Sequence, residues 1–375
     1  MLTLRPGSHA TQLVELLSVA GEFPWRSLHI IGNERVIKAL VHKLTAAQDI
    51  RTFPDGDIFS GKLLQLSGQG NSRTVRFHKS ALPVLSLIHS DALASYQRDY
   101  HNPWFPGDDI HKMRNHRVAE AIAMCQASGF EFRPYALPAL QNKRIAAVLP
   151  NSPCYYIARD IKKVDPLELN KTTYTRIVGA LFYPGGAYAV YNTRNAVMKW
   201  NGNGEIKAAE HLAALARFNA GVSGVKSAVL FGKSPNIALQ TLIQSDTGRR
   251  SDTPFGKLYP QIHFVPLNSD GTRLLKLLTT PDWKPKLLAA LFDDAVRTKR
   301  PGFMEYDAYQ NGKYLLAHFD SDIARLVRFR DALVLFDVPG EVLCYSWQVE
   351  FLQKYLGPKV NLAVIDRTEI EEAVF

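Results

Sequence analysis

Apolar residues at Leu13, Val14, Leu16, Leu17 and Val19 recur at helical spacing, and Gly21 with the Phe23-Pro24 dipeptide ends the run, so the chain is expected to begin with a short helix over 10–20. A second short apolar stretch, Trp25 to Ile31, stops at Gly32, and Asn33 stands where a helix N-cap belongs. Over 34–48, Val36, Ile37, Leu40, Val41 and Leu44 repeat with helical period, while Arg35, Lys38, His42 and Lys43 fall largely elsewhere on the wheel. That predicts a helix with one packing face and one basic face. Two alternating stretches, Lys62 to Leu66 and Arg73 to Phe77, flank Gly68-Gln69-Gly70-Asn71 and read as a β-hairpin. Three helices followed by a hairpin is the order of a winged helix, in which the third helix enters the DNA major groove and the hairpin is the wing. This domain is expected over 1–90.

Further along, a helix is expected over 80–89, then a Tyr/Trp/Pro-rich stretch from Tyr96 to Pro106. A helix over 110–128 follows, striped by Val118, Ala121, Ile122 and Cys125, so that 91–130 reads as a helical connector. From 131 to 375 strands and helices alternate, as in a mixed α/β domain. Its clearest piece is a hairpin, 176–182 against 187–192 around Tyr183-Pro184-Gly185-Gly186, followed by a helix over 204–218. Further strands are expected at 227–231, 261–266, 333–337 and 360–365, with helices at 236–244, 272–278, 284–297, 323–329 and 342–355. The fold class that results is an α+β multidomain chain: an N-terminal winged helix followed by a mixed α/β domain.

Charge sharpens the picture of the first region. Lys and Arg outnumber Asp and Glu by 45 to 35 over the 375 residues, a formal +10 that favours a polyanionic partner. Between Arg35 and Lys79, Arg35, Lys38, Lys43, Arg51, Lys62, Arg73, Arg76 and Lys79 face only Asp49, Asp55 and Asp57, which puts half of the net excess on the predicted reading helix and wing. A solvated surface, or a winged helix that docks protein, accounts for the same charges. The 46% of apolar residues is enough for a sizeable core, no apolar run reaches the roughly 18 residues of a membrane span, and Met1 to Thr11 lacks a secretory signal, so a cytoplasmic protein is expected, with no membrane partner.

Catalytic signatures are sparse. There is no GxGxxG, GxxxxGK[ST] or GxSxG, and Gly68-Gln69-Gly70 sits between two hairpin strands, where a turn is the simpler reading. Cys125, Cys154 and Cys344 form no CxxC pair, which argues against a disulfide framework and a Cys-based zinc site. Asp108, Asp109, His111 and His116 could be imagined as ligands, but they also suit the opening of a helix. Tyr100, Trp104 and Phe105 could stack on bases or pin a loop, and Tyr155-Tyr156 lacks the basic surroundings of a strand-transfer nucleophile. Glu205, Lys207 and Glu210 include an ExK spacing that a Mg²⁺-dependent nuclease would use, although Glu205 opens a helix whose dipole favours it there. Asp320 and Asp322 read as a capping segment and Asp337 as a further acidic candidate, while Arg325, Arg328 and Arg330 fit phosphate contact or surface cover equally. No cofactor and no resident metal is expected.

The winged-helix pattern from Leu13 to Lys79, the Asn115-His116-Arg117-Val118-Ala119-Glu120 opening of the connector helix, and the Arg176 to Asn192 hairpin with its helix together span about half the chain. In these the chain resembles the replication-relaxation family and its relatives on plasmids and conjugative elements of Gram-positive bacteria. The resemblance implies a second domain of restriction-endonuclease-like fold, with acidic residues on the hairpin after the connector. Here that strand carries Ala189-Val190-Tyr191-Asn192, so the implied domain is catalytically degenerate. The leading expectation is therefore a DNA-binding protein of a mobile genetic element, acting in replication, transfer or transcriptional control. Arg35, Lys38, His42, Lys43, Lys62, Arg73, Arg76 and Lys79 would contact double-stranded DNA. The second domain would supply homodimerisation or docking to element-encoded replication or transfer proteins. A Mg²⁺-dependent nuclease using Glu205, Lys207 and Glu210, and a protein-interaction module that binds no DNA, are the alternatives.

Overall fold

The computed structural model describes all residues except 53–55, 57, 101–107, 163–174, 199, 201–202, 248–257 and 299–303. Chain contacts divide it into two compact units, Met1–Val164 and Asp165–Phe375. Both mix helices and strands.

The first unit opens with β1 (Leu2–Leu4), α1 (His9–Ala20) and β2 (Glu22–Pro24), then a 3-10 turn over Trp25–Ile30 and α2 (Glu34–Thr45). Ser8 caps α1 by accepting from the Thr11 amide. Gly21 ends it at φ 72°, where its N–H reaches the Leu17 carbonyl and an added Cβ would lie 2.4 Å from the Tyr100 ring. Asn33 caps α2 as its sequence position predicts, accepting from the Arg35 and Val36 amides. β3 (Gln48–Thr52) and β4 (Ile58–Gly61) form a hairpin, and β1 joins β3 in parallel; none of these three strands is foreshadowed by apolar alternation. The predicted hairpin is present as β5 (Leu64–Ser67) and β6 (Thr74–Phe77), joined through a 3-10 turn over Gly70–Ser72. β6 also pairs with β2, so the antiparallel order is β2-β6-β5.

α3 (Val84–Ile88), α4 (Ala92–Asp99), the long α5 (Asp109–Ala127), α6 (Ile145–Val148), β7 (Cys154–Ile157) and α7 (Ala158–Lys162) complete the unit. Leu13, Leu16, Leu17, Phe23, Leu28, Ile37, Val41, Leu44, Val75 and Phe77 are fully buried, so the periodic apolar residues of α1 and α2 meet those of the sheet in one core.

In the second unit, β8 (Ile177–Tyr183) and β9 (Gly186–Arg194) form the expected hairpin, and α8 (Asn203–Phe218) leads to β10 (Ser227–Gly232), which pairs with β9 in parallel. α9 (Pro235–Thr247) and β11 (Gln261–Pro266) follow, β11 parallel to β10, then α10 (Ser269–Thr279) and α11 (Trp283–Leu291). A second sheet has the order β12-β13-β14-β15: β12 (Ala308–Gln310) is antiparallel to β13 (Lys313–Ala317), while β14 (Gly340–Cys344) and β15 (Val360–Val364) continue in parallel. The intervening helices are α12 (Ile323–Phe336) and α13 (Val349–Leu356), and α14 (Arg367–Val374) comes last. Nearly continuous burial of β8 to β11 matches their unbroken apolar runs.

Three expectations fail in this unit. The strand predicted at 333–337 is the end of α12, because Ile323, Leu326, Phe329 and Leu333 bury one helical face behind the Asp322 cap. The helix predicted from 342 begins only at Val349, because 340–344 is the strand that fills the sheet between β13 and β15. α11 likewise ends at Leu291 rather than continuing to 297.

Candidate nucleic-acid interface

α2 buries Ile37, Val41 and Leu44 and turns Arg35, Val36, Ala39, His42 and Lys43 outward. These five lie within about 120° of the helix circumference, with the small Ala39 at the centre and basic residues to either side. Lys38 lies at the margin of this face, where its ammonium pairs with Glu34 at 2.5 Å one turn earlier. An exposed pair of this kind contributes about 0.3–0.5 kcal/mol and leaves Lys38 available to a stronger anion.

Trp25 joins the helix to the hairpin. Its amide donates to the Arg73 carbonyl at 2.9 Å, beside the pairing of Pro24 with Thr74. Around its ring stand the Arg73 guanidinium carbon at 5.3 Å, the Lys38 Nζ at 5.6 Å and the His42 ring at 5.2 Å from the centroid. The negative face of an indole attracts such cations, so one side chain gathers basic groups from α2 and from the start of β6. Lys62 and Lys79, at the two ends of the β5–β6 hairpin, are exposed.

Arg76 departs from its expected role. Cross-strand register sets it opposite Glu22, whose side chain is 1% exposed, and its Nε lies 3.2 Å from the Glu22 carboxylate. His116 on α5 approaches the same carboxylate at 3.5 Å. Burial opposes the charge on Glu22, yet the neighbouring His116 ring and the Arg76 charge prevail and hold its carboxyl below the usual range. Arg76 is thus spent inside the unit, and His116 is no surface ligand. Asp108 caps α5 by accepting from the His111 amide and ring, the helix-opening role its position suggested. Tyr100 donates to the Val19 carbonyl, whereas Trp104 and Phe105 lie outside the described residues. Tyr155 and Tyr156 are buried, and Gly68 and Gly70 are positive-φ turn residues.

In the second unit, Glu205, Lys207 and Glu210 are not brought together. Glu205 is 1% exposed and accepts from the Thr175 hydroxyl at 2.8 Å, the Arg176 amide at 2.7 Å and the Tyr191 hydroxyl at 3.1 Å, while Lys207 and Glu210 face outward. The carboxylate ties the start of β8 and the middle of β9 to α8. Tyr191, standing where the resemblance would place acidic residues, supplies one of its donors. Among the described residues no group of three or more His, Cys, Asp or Glu is disposed to hold a metal ion. Cys125, Cys154 and Cys344 are buried thiols, and burial raises all three, Cys154 to about 12 and Cys344 to about 11.

The segment Asp320–Asp322, expected as a helix cap, lies after β13 in a larger polar centre. Asp322 Oδ1 accepts from the Ala324 and Arg325 amides of α12 and from the Ile262 amide of β11, and the Ser321 carbonyl accepts from Phe264. His263 bonds the Asp320 carbonyl at 2.8 Å, and Arg325 pairs with Asp307 at 2.6 Å and with Glu305 at 3.0 Å. Arg328 also takes Glu305, and Arg330 takes Asp331, so this arginine cluster has carboxylate partners within the fold. Burial opposes ionisation of both aspartates. Around Asp320 the charges of Lys284, His263, Arg325 and His318 overcome it and lower the carboxyl, while Asp322 is raised, with the Asp320 charge adding to burial. Burial also lowers His318, to about 4. His318, Asp320, Ser321, Asp322 and Arg325 are all buried, which suits a joint between β11 and the second sheet rather than a cleft open to substrate. An H-x-D-x-D run following a strand was the available sequence signal.

Comparison of the chain with family models, with curated proteins and with solved structures finds no match among them.

Proposed function

We propose that the chain is a double-stranded DNA-binding protein whose first unit carries a winged helix, with α2 as the reading helix and the β5–β6 hairpin as the wing. Supporting the topology are the succession of α1, the 3-10 turn and α2, and the antiparallel order β2-β6-β5 directly beside α2. The observation that carries the function is the outward face of α2, Arg35, Val36, Ala39, His42 and Lys43, held next to the Trp25 junction where Lys38 and Arg73 converge. A small residue flanked by cations lets a helix backbone approach a groove while its rim meets phosphates. The site we assign is Arg35, Lys38, His42 and Lys43 on the helix with Lys62, Arg73 and Lys79 on the hairpin; Arg76 supports it from within.

The setting follows from the family resemblance alone: a plasmid or conjugative element, with a role in replication, transfer or transcriptional control. No helix among the described residues is long and apolar enough to cross a membrane. The test is a mobility shift of the full chain on duplexes selected from a random pool. Wild type is expected to enrich one sequence, and the Arg35→Ala, Lys38→Ala double variant to lose that preference while remaining folded. Enrichment of no sequence by wild type would remove the reading function.

A second reading, docking of a protein partner, is favoured by the end of α12, where Val334, Leu335 and Phe336 are 75%, 77% and 51% exposed in succession. It assigns a role to the second unit and leaves α2 to DNA.

A further inference from the structure

We infer that α2 recognises thymine through its 5-methyl group, with Val36 and Ala39 as the contacting residues; this rests on the DNA-binding reading above. Val36 is 53% exposed in a helix that has buried Ile37, Val41 and Leu44, so its isopropyl group is surplus to the core. Its outward neighbours on the helix are Arg35, Ala39, His42 and Lys43, and the Lys38 and Arg73 cations sit beside the same helix at Trp25. An apolar protein partner would have to desolvate those cations against nothing complementary, whereas a DNA groove offers phosphates to the rim and base edges to the centre.

Within the major groove the thymine methyl is the one apolar group on a base edge, and short apolar side chains are what contact it. Val36 and Ala39 are three residues apart, hence on adjacent turns, and both are short enough to keep the helix close to the base edges. Val36 lies in the first turn, behind the Asn33 cap, the part of a reading helix that meets bases most directly. Arg35, one residue earlier, is placed for an adjacent guanine or phosphate. The expected preference is therefore a T within a short basic-face footprint, not a generally A·T-rich duplex.

The experiment replaces each T of the selected duplex, one at a time, by deoxyuridine, which removes the methyl and leaves pairing intact. Affinity is measured for the wild-type chain and for the Val36→Ser and Ala39→Ser variants, whose exposed positions leave the core untouched. For wild type, one or two positions should weaken binding about fourfold, the value of one buried methyl, and at those positions one of the variants should no longer respond. Three results overturn the inference. If no deoxyuridine substitution matters while binding stays sequence-specific, DNA recognition stands and thymine reading fails. If the variants respond as wild type does, the methyl is read by other residues. If the chain selects no sequence or retains no duplex at low salt, the reading beneath the inference falls with it.

Discussion

The Arg73 guanidinium carbon lies 5.3 Å from the centroid of the Trp25 indole, and on the same ring the Lys38 Nζ lies at 5.6 Å. Two cations drawn from different elements onto one aromatic side chain repel each other, and an anion bridging them relieves that repulsion. Replacing Trp25 by Leu is expected to keep the fold, since the residue is only partly buried, but to weaken duplex binding several-fold by freeing both cations. Equilibrium titration against circular dichroism of the same variant separates the two effects. Unchanged affinity would show that Trp25 organises nothing at the interface.

Arg73 and Arg76 are three residues apart and should behave oppositely. Arg73→Ala is expected to reduce the slope of log affinity against log salt by about one, with little loss of stability. Arg76→Ala removes the cation set against the buried Glu22 carboxylate, and should cost about 2 kcal/mol of stability, discounted because the arginine itself is partly exposed. Urea unfolding and salt titration of both variants distinguish them. A stability loss confined to Arg73→Ala would reverse the assignment.

For Glu205, the hydrogen bonds from Thr175, Arg176 and Tyr191 predict a structural phenotype. Glu205→Ala removes the acceptor shared by two buried hydroxyls and one part-buried amide and should destabilise the second unit by about 3 kcal/mol, read as a lowered melting transition. A variant that melts like wild type yet loses an EDTA-sensitive cleavage of plasmid DNA would restore the nuclease alternative.

Acid should loosen the second unit through His318. Folded, burial keeps this ring neutral down to about pH 4, whereas an unfolded chain protonates it near 6.5. Between those values the unfolded state binds the extra proton, so stability falls as pH drops through that window, by up to about 3 kcal/mol. Glu22, whose carboxyl is lowered, adds a loss in the first unit below its ordinary range near 4.5. Asp322, whose carboxyl is raised, works in the opposite direction at the acid end. Urea midpoints at pH 7 and pH 5 should differ for wild type and much less for His318→Gln; equal differences would place the acid sensitivity elsewhere.

Several of these elements were legible because local rules and tertiary packing agree. The α1 period with Gly21, the Asn33 cap and the β5–β6 hairpin around Gly68-Gln69-Gly70-Asn71 each carry their own signal, and each formed. β1, β3 and β4 are short, and two of them pair across a distance in sequence, so neither length nor alternation marked them. Leu333-Val334-Leu335-Phe336 has strand-like composition, but the Asp322 cap and the buried spacing from Ile323 to Leu333 prevail, and the strand shifts to Gly340–Cys344. The outward face of α2 was visible as charge. The Trp25 junction and the Glu22–Arg76–His116 cluster were not, because each joins residues that only folding brings together.

The most direct test of the central claim is the affinity of the full chain for its selected duplex as a function of salt concentration, measured beside the Lys38→Ala, Arg73→Ala double variant. Phosphate contacts impose a linear fall of log affinity with log salt. A steep slope for wild type, reduced by about two in the double variant, is the predicted result. A shallow slope that the two substitutions leave unchanged would contradict the account and move the search for a partner from DNA to protein.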